Sequence, residues 1–298
     1  MKIIQMKKSV LKLFMAAAVL TYACDDSETN EILSTSNLTE TDELGLAAEN
    51  TSEYVFEDVN AITDVLSMRS STPDFNSASK KGVLDCAEVT EDTEANTITI
   101  DYGTEGCTDA RGRIRSGKVI ISYSEESKVE GSYKSITFEN YYLDDTRIEG
   151  VRTRTITSID STTSTIEMEM TLTGGKLTFS DGSFSTRESQ KTRVWNYSTG
   201  EASVTGSSSG TDQDGVSSSM EITEPLTFKK DCSIARMRVP LAGVKVLTVG
   251  DEETMSINYG DGNCDLLAVV TKDGIEEEIE LKARGKGHGR KGYKGRGN

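Results

Sequence analysis

Histidine, tryptophan, proline and cysteine are all scarce in this chain: one, one, three and five residues respectively in 298. Each scarcity removes a class of chemistry. The lone His288 sits in a glycine-rich C-terminal run, so the rest of the chain has no imidazole to serve a Ser-His-Asp or Cys-His mechanism. There is no Cys-x-x-Cys spacing, no metalloprotease motif, no Walker loop, and no glycine fingerprint in a strand–turn–helix context. These gaps predict no catalytic residue, no metal site and no cofactor. Apolar residues make up only 35% of the chain and aromatics 6%, against about 45–50% apolar in an ordinary globular domain. Much of the surface must therefore stay wet. Length alone leaves the domain count open.

Charge of one sign is also missing locally. Residues before Cys24 carry Lys2, Lys7, Lys8 and Lys12 and no acid. The last fifteen residues carry Arg284, Lys286, Arg290, Lys291, Lys294 and Arg296, again with no acid. The stretch between holds 23 bases against 49 acids, a net charge of −26. A body this acidic repels phosphate backbones, which argues against a nucleic-acid groove.

No apolar run is long enough to cross a bilayer as a helix, which takes roughly 20 residues. The longest, Leu13 to Ala23, is eleven residues behind a basic n-region, and suits an export signal over residues 1–23. Leu20-Thr21-Tyr22-Ala23-Cys24 resembles a loose bacterial lipobox, with Thr21 where the strict pattern has Leu. That resemblance implies cleavage before Cys24 and lipidation of its thiol; ordinary signal cleavage near Ala23 is the competing reading. Two or three acyl chains anchor a protein durably. Residues 24–51 are acidic and rich in Ser and Thr, with few large apolar side chains, so they read as a disordered tether. The pair Asp25-Asp26 behind the lipid cysteine is similar to the surface-export signal of Bacteroidota lipoproteins. It implies the outer membrane and the cell surface, with the periplasmic face as the alternative.

With Cys24 lipidated, Cys86, Cys107, Cys232 and Cys264 remain, an even number that reads as disulfides in an exported chain. An internal repeat chooses the pairing. Ile98-x-Ile100-Asp-Tyr102-Gly103 leading to Cys107 aligns without gaps on Met255-x-Ile257-Asn-Tyr259-Gly260 leading to Cys264, and Gly117 falls on Gly274 at the same offset. Each copy follows an Asp-Cys, at Cys86 and at Cys232. Pairing within each copy, Cys86 with Cys107 and Cys232 with Cys264, closes two local loops worth roughly 3 to 4 kcal/mol each. The repeated pattern resembles uncharacterised Bacteroidota lipoproteins, and that resemblance implies no catalytic residue.

Tyr54, Val55, Phe56, Val59, Ile62, Val65 and Leu66 recur at helical spacing, predicting an amphipathic helix over Ser52–Met68 as a lid on a sheet edge or a partner-binding element. It opens a folded region over residues 52–283. From Val83 to Leu281 the period changes to two, as in Ile166-x-Met168-x-Met170-x-Leu172. Gly174-Gly175, Asp181-Gly182, Asp214-Gly215 and Asp273-Gly274 mark turns. The fold class is all-β: an antiparallel meander with one N-terminal helix, forming an extended twisted sheet, a sandwich or a barrel. Few large apolar residues occur between Arg147 and Glu224, favouring an extended, partly single-layered sheet. Residues 284–298, with glycine at nearly every second position, read as a disordered tail.

Four features invite a functional reading. Trp195 and Tyr197 stand at strand spacing, and Phe138, Tyr141 and Tyr142 form a second aromatic group. Such rings either stack on sugars or fill the core. Arg111, Arg113 and Arg115 alternate as on a strand face, where cross-strand Glu residues are the expected partners. Asp212, Asp214 and Glu221 partly match a calcium loop, but Gly210 holds the first ligand position and the flanks read as strands, so a hairpin turn is preferred. The six tail cations suit an anionic polymer, or only solvent. The expected function is a non-enzymatic, lipid-anchored outer-membrane protein whose sheet is a structural or binding surface. A surface glycan-binding protein, with polysaccharide as partner, is the alternative. A glycoside hydrolase built on two carboxylates comes third.

Overall fold

The computed structural model describes residues 84, 86–109, 112–232, 239–250 and 252–281. The signal segment, the tether, the helix expected over 52–68 and the basic tail all lie outside them. Fourteen strands make one open sheet. In chain order they are β1 (Glu88–Asp92), β2 (Thr97–Asp101), β3 (Cys107–Thr108), β4 (Ile114–Tyr123), β5 (Tyr133–Leu143), β6 (Thr146–Asp160) and β7 (Thr165–Thr178), then β8 (Phe184–Asn196), β9 (Glu201–Thr211), β10 (Ser217–Lys229), β11 (Ala242–Val249), β12 (Glu252–Asp261), β13 (Leu267–Lys272) and β14 (Ile275–Glu280). Every strand pairs antiparallel with its sequence neighbour, except that the two-residue β3 pairs only with β4, which also receives β2. A meander with short connections lets each strand pair as the chain returns, so no crossover helix is needed.

Two separate apolar clusters anchor the ends of the sheet. The first gathers Ile100, Tyr102, Val119, Ile121, Ile136, Tyr141 and Ile148; the second Met220, Leu241, Leu247, Met255, Ile257, Tyr259 and Val270. They do not merge, so the sheet does not close into a barrel around one core. Its two edges, β1 (EVTED) and β14 (IEEEIE), are dominated by carboxylates, which discourages edge-to-edge pairing between copies.

The repeat is structural at its centre. Ile100 faces Val119 across the β2–β4 pair, and Ile257 faces Val270 across β12–β13. The Asp101 carboxylate accepts the Gly103 N–H at 2.8 Å, and the Asn258 side-chain oxygen accepts the Gly260 N–H at 2.9 Å. Both glycines have φ between +74° and +84°, where a Cβ is strained. The repeated Ile-[Asp/Asn]-Tyr-Gly is thus an Asx turn, which ends β2 in the first copy and makes an irregularity inside β12 in the second. The disulfides join Cys86 to Cys107 and Cys232 to Cys264, as the repeat predicts.

Two sequence readings are corrected. Gly174-Gly175 is not a turn; it lies inside β7 at a register shift, where a Cβ on Gly150 would come within 2.8 Å of the Gly175 Cα. Close backbone approach, not chain reversal, is what these glycines serve. Nor is Gly274 the counterpart of Gly117. Gly117 is a bulge within β4, its N–H donating to the Gly103 carbonyl, whereas Gly274 follows Asp273 in the β13–β14 hairpin turn. The second copy is shorter after its cysteine, so gapless alignment fails there.

Candidate functional site

Between the two clusters, β6 to β9 form the middle of the sheet, and register assigns each of their side chains to a face. Residues paired directly across antiparallel strands project to the same side. On one side runs the row Ser135, Thr153, Thr171, Gln190, Ser207, Glu221 across six strands, beside a second row of Tyr133, Thr155, Glu169, Thr192 and Thr205. Hydroxyls and amides interlock here: Ser135 and Thr153 share a hydrogen bond of 3.2 Å, and the Gln190 amide donates to Glu169 at 2.8 Å. This is the wet face.

The opposite face carries Ile136, Arg152, Leu172, Ser189 and Ser208 in one row, then Lys134, Arg154, Met170, Lys191 and Gly206, then Ile156, Met168, Arg193 and Val204. It mixes cations with apolar side chains and holds no carboxylate in those rows. The Arg154 Nε–H donates to the Met168 sulfur at 3.1 Å. In a protein of net charge −16, the middle of the sheet has segregated its charge by face.

At the end of β8, Trp195 is half-buried on the cationic face, with the Arg193 guanidinium 5.9 Å from its ring. Tyr197 falls one residue beyond the strand, in the β8–β9 turn, and is 47% exposed. The other aromatics divide: Tyr141 is buried and stacks with Phe138 at 5.5 Å as part of the first cluster, while Tyr142 is exposed. A shallow groove of about 340 Å³ lies at the ends of β8, β9 and β10, lined by Thr186, Glu188, Ser209, Thr211, Ser217 and Ser219. Glu188 is the single carboxylate lining it.

The arginine alternation predicts a strand face paired with cross-strand Glu, and the structure places these residues otherwise. Arg113 precedes β4, and Arg115 is wholly buried; Arg111 lies outside the described residues. The Arg115 Nε–H donates to Asp109 at 2.9 Å and its Nη1–H to the Tyr141 hydroxyl at 2.6 Å, beneath the Tyr102 ring at 5.7 Å. Asp109 is likewise fully buried and also stands 3.6 Å from Arg113. The partner is an Asp in the loop after the disulfide rather than a cross-strand Glu. A buried, hydrogen-bonded pair of this kind fixes the loop behind Cys107.

Asp212 caps the β9–β10 turn, accepting the N–H groups of Asp214 and Val216 at 2.9 Å, while Glu221 stands on β10 opposite Ser207. Among the described residues no group of His, Cys, Asp or Glu converges as a metal site. Cys24 and the six tail cations lie outside the described residues. The two-faced middle was missed in the sequence, although period-two reading of β6 and β8 separates Arg from Thr once register is known. Compared with family models, with curated proteins and with solved structures, the chain matches none.

Proposed function

We propose that this is an exported protein, held in the outer membrane by lipid on Cys24 and displayed at the cell surface, that works without catalysis by presenting the wet face of its sheet to a neutral polysaccharide. The observation that carries the reading is the polar row from Ser135 to Glu221, six strands wide. Hydroxyl, amide and carboxylate groups at the roughly 4.8 Å strand spacing offer repeated donors and acceptors to an extended polyol, while the acidic charge repels anionic chains. The tail cations, Arg284 to Arg296, supply a separate contact for anionic polymer.

The test is cosedimentation with insoluble neutral polysaccharides. Thr171→Arg with Thr205→Arg on the wet face should abolish retention, while Ser198→Ala in a turn should leave it intact. Retention unchanged by the paired arginines rejects the wet face as the contact. The exposure of Tyr197 favours a second reading, in which a sugar ring stacks on that side chain; Tyr197→Ala alone would then abolish retention. Anchoring is tested apart: Cys24→Ser should lose palmitate label and leave the membrane fraction.

A further inference from the structure

The polar row from Ser135 to Glu221 does not stop at β5 and β10. Towards the first edge it continues through Ser122 on β4 and Thr97 on β2 to Asp92 on β1. Towards the other edge it runs through Val246 on β11, Ser256 on β12 and Thr271 on β13 to Glu276 on β14. One line of directly paired residues thus crosses every strand of the sheet except the two-residue β3. The register shifts of these ladders all fall to one side of the line or the other. None of its members is buried, and it holds three carboxylates and no base. At the roughly 4.8 Å strand spacing its twelve pairings span about 58 Å. Along β6, by contrast, pairing with β7 runs unshifted only from Val151 to Ile156, about 20 Å. An extended ligand therefore finds its unbroken path across the strands.

What flanks the row suits a sugar chain. On one side stands Tyr133, two residues from Ser135 on the same face and 42% exposed, a ring against which a sugar stacks. On the other side the groove at the ends of β8 to β10 begins one position along. Its Glu188, Ser209 and Ser219 are the next side chains on this face after Gln190, Ser207 and Glu221. The groove's volume of about 340 Å³ falls within the range of small-molecule sites, roughly 300 to 1,000 Å³. The shape of the row then selects the form of the polymer. Neighbouring strands in a sheet turn by roughly 20 to 25°, and bulges such as those beside this row add to the turn. Over twelve pairings the row winds through more than half a circle. A flat crystal face meets only a few strands of such a surface, whereas a single free chain follows it.

We propose that the occupant of this row is one dispersed chain of a neutral polysaccharide, laid across the strands from β1 to β14, and that the ordered surface of the same polymer is a poor partner. The absence of any base in the row and the acids at both its ends leave an anionic chain no counter-charge there. The proposal rests on the reading of the wet face as the polysaccharide contact and adds the direction, the extent and the physical state of what it holds.

The experiment is cosedimentation of the full mature chain with cellulose, mannan and chitin, each offered in swollen and in crystalline form at equal accessible surface. Retention should be several-fold greater on the swollen form of the polymer that is bound. Ser122→Arg and Ser256→Arg, on strands outside β5 to β10, should each weaken that retention several-fold. Glu167→Arg, exposed on the same face but four residues along β7 from Thr171, should leave it intact. Thr97→Arg and Thr271→Arg supply a second pair on the same row, and unfolding at the wild-type temperature shows that a variant has kept its sheet. Equal retention on swollen and crystalline polymer overturns the proposal. Loss with Glu167→Arg and not with the variants near the two edges overturns it as well, because the chain then runs along the strands. In both cases the wet-face reading stands as long as Thr171→Arg with Thr205→Arg abolishes retention. If that pair has no effect, or if no swollen polymer retains the protein, the reading and the inference fall together.

Discussion

The two disulfide-bonded ends of the sheet share a motif but place different polar groups against its tyrosine. In the first, a guanidinium lies under Tyr102 and is neutralised by the buried Asp109. In the second, the corresponding ring, Tyr259, meets the Lys245 ammonium at 5.6 Å, from a strand position opposite Ile257. Shared sequence therefore fixes the strand, the Asx turn and the disulfide, while the cation that closes each core comes from a different place in the chain. The ends also differ from the middle. They bury apolar clusters, whereas β6 to β9, apart from Ile148 and Leu177 at their margin with the first cluster, hold together by backbone ladders and by faces of opposite chemistry.

The sharpest way to break the likeness of the two ends is to remove a charge. Asp109→Ala leaves the Arg115 guanidinium buried without its carboxylate, and a broken buried pair costs about 3–5 kcal/mol. Lys245→Met keeps the length of the stem and should cost less than about 1.5 kcal/mol. Urea unfolding of the two variants measures both; equal losses would mean that Lys245 is as deeply committed as Arg115. Opening the disulfides should instead bring the ends together. Cys86→Ala with Cys107→Ala, and Cys232→Ala with Cys264→Ala, each remove a loop closure worth roughly 3 to 4 kcal/mol. The second should cost slightly more, because its loop spans 32 residues instead of 21. A negligible loss in either pair would show that its loop is already ordered in the unfolded chain.

A smaller difference separates the two glycines that share the repeat offset. A Cβ on Gly117 would overlap the backbone carbonyl of Asn140, in addition to its positive φ of +77°. Nothing lies within 4 Å of a Cβ on Gly274, where only φ resists substitution. Gly117→Ala should thus cost roughly 2 to 4 kcal/mol, and Gly274→Ala about 1. Thermal unfolding of both separates overlap from strain, and equal shifts would restore Gly274 as a true counterpart of Gly117.

The legible parts of this fold are those that local sequence dictates. Alternation in Ile166 to Leu172 announces a strand, Asp273-Gly274 a hairpin turn, and the repeat around Cys86, Cys107, Cys232 and Cys264 the pairing of the disulfides. What stayed hidden depends on partners far along the chain. Arg115 alternates with Arg113 as it would on a strand face paired with Glu, and nothing near it in sequence announces that Tyr141, 26 residues away, waits across the core. Gly174-Gly175 has the composition of a turn, but the backbone of Gly150 on β6 makes it a bulge. The division of charge between faces is written in β6 and β8, yet it becomes a surface only when register puts Arg154, Met170 and Lys191 in one row.

The smallest expected effect sets turns of the middle against a turn of the second end. Asp160, the last residue of β6, accepts the Thr162 N–H at 2.7 Å and the Thr163 N–H at 3.3 Å in the turn to β7. Hydrogen bonding from the Thr163 side chain, then from those backbone groups, holds its carboxyl below the ordinary value. Asp181, between β7 and β8, is lowered likewise by the Ser183 hydroxyl and N–H. A carboxyl with a lower pKa in the folded than in the unfolded chain adds stability that is present above the unfolded value, about 3.9, and is lost as pH falls through the folded one. Both turns should therefore loosen as the solution is acidified below about pH 4. The second end uses Asn258 for its Asx turn, and an amide does not titrate. In an acid titration followed by amide chemical shifts, Thr162, Thr163 and Ser183 should move together while Gly260 holds still. Asp160→Asn and Asp181→Asn should abolish the movement. If Gly260 moves with the others in those variants, the transition belongs to the sheet as a whole and not to its central turns.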